Sequence, residues 1–194
     1  RTVSLLFAFA FFTSQASGFG DITIAAHLVL IQFQLFLAFG LDGFAHAAEA
    51  LVGSSIGAKN HLALRHAVIV SSKWAVGVAL GYTVVYLFLG EVIISLLTSI
   101  PDVQSVAGEF LFWVILSPII SIWSFMLDGI FIGATRSGEM RNGMVISLLL
   151  FITAAFMFKP FMGYEGVWLA FIIFMIMRAV TLGIFYPRVE IDAK

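Results

Sequence analysis

The chain has 194 residues, of which 61% are hydrophobic and 11% charged, where a soluble domain averages about half apolar and a quarter charged. That balance excludes an ordinary water-soluble domain; at about 20 apolar residues per membrane span, the length accommodates roughly six to eight spanning helices and no sizeable aqueous domain. A formal net charge of −1 gives no reason to expect a nucleic-acid partner, and the absence of cysteine excludes disulfides and thiolate metal sites.

The first segment, about residues 1–17, opens on Arg1 rather than Met and runs through the apolar stretch Leu5 to Phe12 to Ser14, Gln15 and Ala16. A charged start, an apolar stretch and small residues are also the parts of a secretory signal, but the rest of the chain is itself membrane-like, so a membrane span, cut from something longer, is expected. Gly18-Phe19-Gly20-Asp21 then breaks the chain before a second helix at about residues 22–57. Within it Asp42, His46 and Glu49 are spaced i, i+4, i+7, which at 100° per residue confines them to an arc of about 60°. They form one polar stripe, continued by Gly53.

A third helix, at about 61–97, follows the turn Gly57-Ala58-Lys59-Asn60-His61, and a fourth, at about 102–136, follows Thr98-Ser99-Ile100-Pro101. In the fourth, Ser117, Ser121, Ser124, Asp128 and Thr135 fall on one narrow face, with Asp128 its only charge. Pro118 lies inside this helix and frees the carbonyl of Val114, so a kink is expected there. The fifth and sixth helices are expected at about 139–158 and 165–187, on either side of Lys159-Pro160 to Gly166. The second and fourth would reach about 50 Å, so they should tilt, protrude or line an aqueous space.

This predicts an all-α integral membrane protein: a single lobe of six transmembrane helices over residues 1–194. Arg1, Lys59, Arg65, Arg136, Arg141, Arg188 and Lys194 collect on one side of it and only Lys159 lies in a loop on the other. The basic side, with both termini, is expected to be cytoplasmic. Lys73 and Arg178 are expected to snorkel toward that side, and His27 to be solvated or interfacial. Gly53 and Gly57, Gly77 and Gly81, and Gly129 and Gly133 have the spacing of close helix contacts. Most of the 21 Phe should face lipid, with Trp168, Tyr164 and Tyr186 near the interfaces.

An acidic side chain at the centre of a span costs about 2.5 to 3.5 kcal/mol on insertion scales, so each needs a partner, water or a task. The functional expectation is that both polar stripes face a hydrated interior. Asp128 first and Asp42 second, with Glu49 and His46, are candidate proton- or cation-binding cavity residues; Ser117, Ser121, Ser124 and Thr135 are the polar cavity face, and Pro118 the kink. The structural alternative has Asp42 bonding His46, Glu49 in the headgroup zone and the serines on i−4 carbonyls. No HExxH, GxSxG, phosphate-binding loop or dinucleotide fingerprint occurs, so no catalytic residues, metal or cofactor are expected, and any transport must draw on an ion gradient or another subunit.

The segment Leu41-Asp42-Gly43-Phe44-Ala45-His46-Ala47-Ala48-Glu49-Ala50-Leu51-Val52-Gly53, with Ile56-Gly57-Ala58, resembles the eighth helix of the DinF-like (DNA-damage-inducible protein F) branch of the MATE (multidrug and toxic compound extrusion) family. Leu127-Asp128-Gly129-Ile130-Phe131-Ile132-Gly133-Ala134-Thr135-Arg136, with Glu139-Met140-Arg141-Asn142, resembles its tenth helix and the following loop. Gly90-Glu91, Leu96-Leu97-Thr98-Ser99 and Val167-Trp168-Leu169-Ala170 fit as well. The resemblance implies helices seven to twelve, the C-terminal lobe, of a twelve-helix antiporter in the inner membrane. Such a protein exports small organic, cationic or amphipathic compounds by alternating access against H⁺ or Na⁺, and its N-terminal lobe would be the missing partner, bearing a coupling aspartate on its first helix. The chain departs from the family at Ser54, where Gln is common, and residues 1–17 lack the glutamate of the sodium-linked branch. Alternatives are a lipid-linked oligosaccharide flippase of the same superfamily, a membrane-embedded phosphotransferase holding Mg²⁺ on Asp42 and Asp128, and a non-transporting assembly subunit.

Overall fold

The computed structural model describes residues 2–193, so Arg1 and Lys194, both counted in the charge asymmetry above, lie outside the described residues. Six helices make up the described residues: α1 (Thr2–Ser17), α2 (Asp21–Gly57), α3 (His61–Leu97), α4 (Pro101–Gly133), α5 (Ser137–Met162) and α6 (Tyr164–Asp192). They are joined by connections of one to three residues, so successive helices reverse direction. Five, α2 to α6, are long and apolar enough to cross a membrane; α1, with 16 residues, reaches about 24 Å.

The helix ends follow from local chemistry. The α2 and α4 C-termini close on non-glycine residues in the left-handed region, Lys59 (φ 50°) and Thr135 (φ 56°). In each, the amide two residues past the cap reaches back: Asn60 N–H donates to the Ser55 carbonyl and Arg136 N–H to the Phe131 carbonyl, both at 3.0 Å. Asn60 then caps α3, its Oδ1 accepting from Ala63 N–H at 3.0 Å. Pro101 opens α4 where no amide proton is needed.

Three expected boundaries shift. α4 ends at Gly133, which leaves Thr135 outside the helix and exposed. α5 continues past Pro160 to Met162, and α6 continues through Pro187 to Asp192. Arg178 therefore sits at mid-helix, well away from either end.

α4 is the central helix, packing against α2, α3 and α6; α5 packs on α6, and α1 leans on α2, α5 and α6. Glycine allows the α2–α4 approach: a Cβ on Gly129 or Gly133 would run into the backbone of Ala45 or Glu49. Gly77 and Gly81 share the spacing but have nothing nearby, so theirs is not a helix contact within this bundle. The aromatic residues divide. Phe39, Phe88 and Phe161 are exposed on the apolar outer surface, whereas Phe12, Phe33, Phe131, Phe151, Phe171 and Phe174 are buried. Trp168 and Tyr164, expected at an interface, are also buried, because they belong to an aromatic core in which Phe12 stacks on Phe171 at 4.5 Å and meets Trp168 edge-on at 4.9 Å.

Candidate functional site

The polar face of α4 lies inside the bundle: Ser117, Ser121, Ser124 and Asp128 are all buried. Pro118 cannot donate to the Val114 carbonyl, and the Ser117 hydroxyl takes that role at 3.0 Å. Ser117 in turn accepts from the Gln34 amide of α2 at 2.9 Å, so the break in the α4 backbone ladder is tied to the neighbouring helix. Ser124 bonds back to the Ser121 carbonyl at 2.8 Å. The Ser121 hydroxyl itself is buried without a hydrogen-bond partner.

One turn beyond Ser124, Asp128 accepts from Arg178 of α6 at 2.5 Å. Their side chains are 3% and 1% exposed, so this is a desolvated ion pair. Arg178 was expected to snorkel, but its head group stays inside. Nη1 contacts the Met175 sulfur at 3.3 Å, and the guanidinium lies 5.6 Å from the Phe125 and Phe174 rings. Its Nε is buried without a partner. The signal that could have placed it is the continuation Val189-Glu190-Ile191-Asp192: if α6 carries through Pro187, Arg178 is too deep to reach the surface.

Asp42, Arg178, Ser121 and Gln34 line one small cavity of about 80 Å³, closed by Leu5 and Phe9 of α1 and by Leu37, Phe125 and Met175. Asp42 also lines a groove of about 670 Å³ between α1 and α2, most of whose wall is apolar, with Leu6, Phe9, Leu35 and Phe39 among its residues. Half-buried Asp42 thus borders both an open apolar groove and the small cavity that Arg178 lines.

The polar stripe of α2 divides at this point. α1 covers α2 as far as Asp42, where Leu5 and Leu6 lie, and past its first described turn His46 and Glu49 are uncovered. His46 Nδ1 lies 3.4 Å from Glu49 Oε2, with His46 76% exposed, so His46 makes a weak surface pair with Glu49 where the structural alternative had it bonded to Asp42. Thr135, expected on the cavity face, is instead the left-handed cap of α4.

Two further polar clusters stand at opposite ends. At one end His27 is fully buried, not interfacial, with Nδ1 2.7 Å from the Tyr164 hydroxyl and Nε2 3.2 Å from Thr13 Oγ1, joining α1, α2 and α6. Lys159 donates to Gln15 at 2.9 Å beside it. At the other end Arg136 grips Asp192 through Nε at 2.6 Å and Nη2 at 2.8 Å and holds Glu139 at 2.7 Å. The Asp192 bonds, then Glu139, raise the pKa of the Arg136 guanidinium above its already high ordinary value. Arg65 and His61 meet Glu190 at 3.1 Å and 3.7 Å. These pairs fasten the end of α6 to the start of α3 and the α4–α5 turn. Among the described residues no group of three His, Asp or Glu is placed to hold a metal ion.

The sequence profile of the family described as MatE matches residues 2–161. The DNA damage-inducible protein F of Escherichia coli (strain K12) is 36% identical over 188 residues, covering 97% of this chain and 41% of that protein. Protein DETOXIFICATION 44, chloroplastic, of Arabidopsis thaliana is 28% identical over 183 residues, covering 93% of this chain and 35% of that protein. The chain spans less than half the length of these relatives. Among solved structures it resembles the inward-facing conformation of a multidrug resistance MATE family transporter, with a TM-score of 0.84 at 17% identity over 97% of this chain and 45% of that one. It also resembles the eukaryotic MATE transporter AtDTX14, with a TM-score of 0.78 at 20% identity over 89% of this chain and 40% of that one. At such identities the structural likeness concerns the fold.

Proposed function

The chain belongs to the MatE family, and from that premise we propose that it is one six-helix lobe of a multidrug and toxic compound efflux transporter, a carrier and not an enzyme. The observation that carries this reading is the match to DNA damage-inducible protein F along 97% of the chain. In this proposal the chain is the C-terminal lobe, the other lobe completes the transport path, and the two rock about a central cavity between inward- and outward-open states. The end bearing Arg65, Arg136 and Arg188 faces the cytoplasm of the inner membrane. An inward H⁺ or Na⁺ gradient supplies the energy.

The substrates are small organic cations and amphiphiles. An apolar groove lined by one carboxylate, Asp42, suits such compounds: greasy walls bury the hydrophobic body, and the carboxylate meets the positive head. The flippase alternative calls for a basic cavity, and the interior cation Arg178 is already paired with Asp128.

The test is ethidium accumulation in an efflux-deficient Escherichia coli strain expressing the intact two-lobe transporter. The expected result is lower accumulation than in vector controls, reversed by collapsing the ion gradient, with Asp42→Asn losing most of the difference. Accumulation equal to the control at matched expression would overturn the proposal.

A further inference from the structure

The Asp128–Arg178 pair does not use all the capacity of the guanidinium. An arginine carries five N–H donors, and Nε of Arg178, although buried, has no partner. The Ser121 hydroxyl, 1% exposed, is likewise unpartnered. Both residues line the cavity of about 80 Å³ that Asp42 closes from the groove side. Such groups are costly to bury unsatisfied, and this cavity, apolar over most of its wall but bordered by Asp42, Gln34, Ser121 and Arg178, has room for water beside them.

Asp42 of α2 thus lines the same cavity as Arg178 of α6, whose guanidinium is paired with Asp128 of α4. The geometry points to a hydrated junction in which Arg178 is shared between the two carboxylates. It binds Asp128 directly and Asp42 through water held by Arg178 Nε and Ser121 Oγ. Asp42 is the member open to the groove, so a proton or cation arriving there releases the share of Arg178 that Asp42 holds and strengthens the Asp128–Arg178 contact between α4 and α6. Arg178 is thus a positioning residue: it acts on whatever enters the groove by setting the charge that Asp42 presents. The groups facing it are Asp42 and Gln34 from α2, Ser121, Phe125 and Asp128 from α4, Met175 and Phe174 from its own helix, and the apolar Leu5 and Phe9 from α1. The use of this junction in coupling rests on the transport reading above; its existence does not.

The test is a pH titration of the carboxyl C=O infrared band of the intact transporter in lipid nanodiscs, with the Asp42 component identified by its loss in Asp42→Asn. Asp128→Asn leaves Arg178 to Asp42 alone and is expected to lower the apparent pKa of Asp42 by at least one unit, a tenfold loss of proton affinity. Asp128→Asn combined with Arg178→Gln removes a neutral pair and is expected to raise it by at least one unit above the unmodified protein. Arg178→Lys keeps the charge and should stay close to the unmodified value. A titration unmoved by both the single and the double variant overturns the inference, because a pair serving only as a strut between α4 and α6 would give that result. If the double variant does not fold, the downward shift in Asp128→Asn still decides. No substrate or flux is needed: an ordered titration without ethidium efflux would sink the transport reading and leave the junction, and efflux with a flat titration would do the reverse.

Discussion

Replacing Arg178 by Gln, Asp128 by Asn, or both, separates the energy of the buried pair from the cost of burying its members. Arg178→Gln leaves the Asp128 carboxylate, 3% exposed, without its guanidinium, and Asp128→Asn leaves an arginine 1% exposed without the carboxylate it binds directly. Breaking a buried pair from one side costs about 3–5 kcal/mol. Arg178→Gln also loses its contacts with the Phe125 and Phe174 rings, about 0.5–2 kcal/mol each. Removing both charges leaves two neutral amides and no uncompensated buried charge, so the double variant should lie within about 2 kcal/mol of the unmodified protein. The coupling between the sites should then exceed about 3 kcal/mol. Reversible unfolding of the lipid- or micelle-embedded protein measures all four forms. Additive single-variant losses, or losses below about 1 kcal/mol, would refute the description of Asp128 and Arg178 as a mutually compensating buried pair.

The helix crossing and the two end clusters give further expectations. Gly129→Ala and Gly133→Ala should each destabilise by about 1–3 kcal/mol by forcing α2 from α4, whereas Gly77→Ala and Gly81→Ala, with open space around them, should be neutral or stabilising by up to about 1 kcal/mol in the same unfolding assay. His27→Phe keeps an aromatic ring, a somewhat larger one, but strands the Tyr164 hydroxyl, and should cost about 1–3 kcal/mol. Tyr164→Phe added to it should recover part of that loss. Asp192→Asn should cost about 1 kcal/mol or less, since Arg136 is 23% and Asp192 33% exposed, and the loss should shrink at high salt as screening weakens the pair. A salt-independent loss would contradict the surface-pair description.

The spacing of Ser117, Ser121, Ser124 and Asp128 was enough to place one polar face on α4, because helical periodicity fixes which residues share a side before any partner is known. The partner was not legible. Arg178 lies fifty positions from Asp128, and a proline at 187 normally argues for a helix end, which made a short α6 and an outward-reaching arginine the simpler reading. The α2 stripe shows a different limit: periodicity put Asp42, His46 and Glu49 on one side of the helix, but how far α1 extends along α2 decides which of them is covered. Thr135 was misplaced because a non-glycine cap in the left-handed region leaves little trace in sequence. The aromatic residues carry no directional signal in a chain this apolar, so the burial of Trp168 and Tyr164 emerged only with the packing of Phe12, Phe151 and Phe171 around them.

Proteoliposomes provide the most direct test of the proposed role. The six-helix chain is reconstituted alone and together with a complementary N-terminal lobe, an inward-directed H⁺ or Na⁺ gradient is imposed, and ethidium movement is followed by fluorescence. No gradient-driven flux is expected from this lobe alone, and substrate-saturable flux is expected when both lobes are present, lost in Asp42→Asn. Flux from the single lobe, or none from correctly inserted paired lobes, would contradict the proposed role.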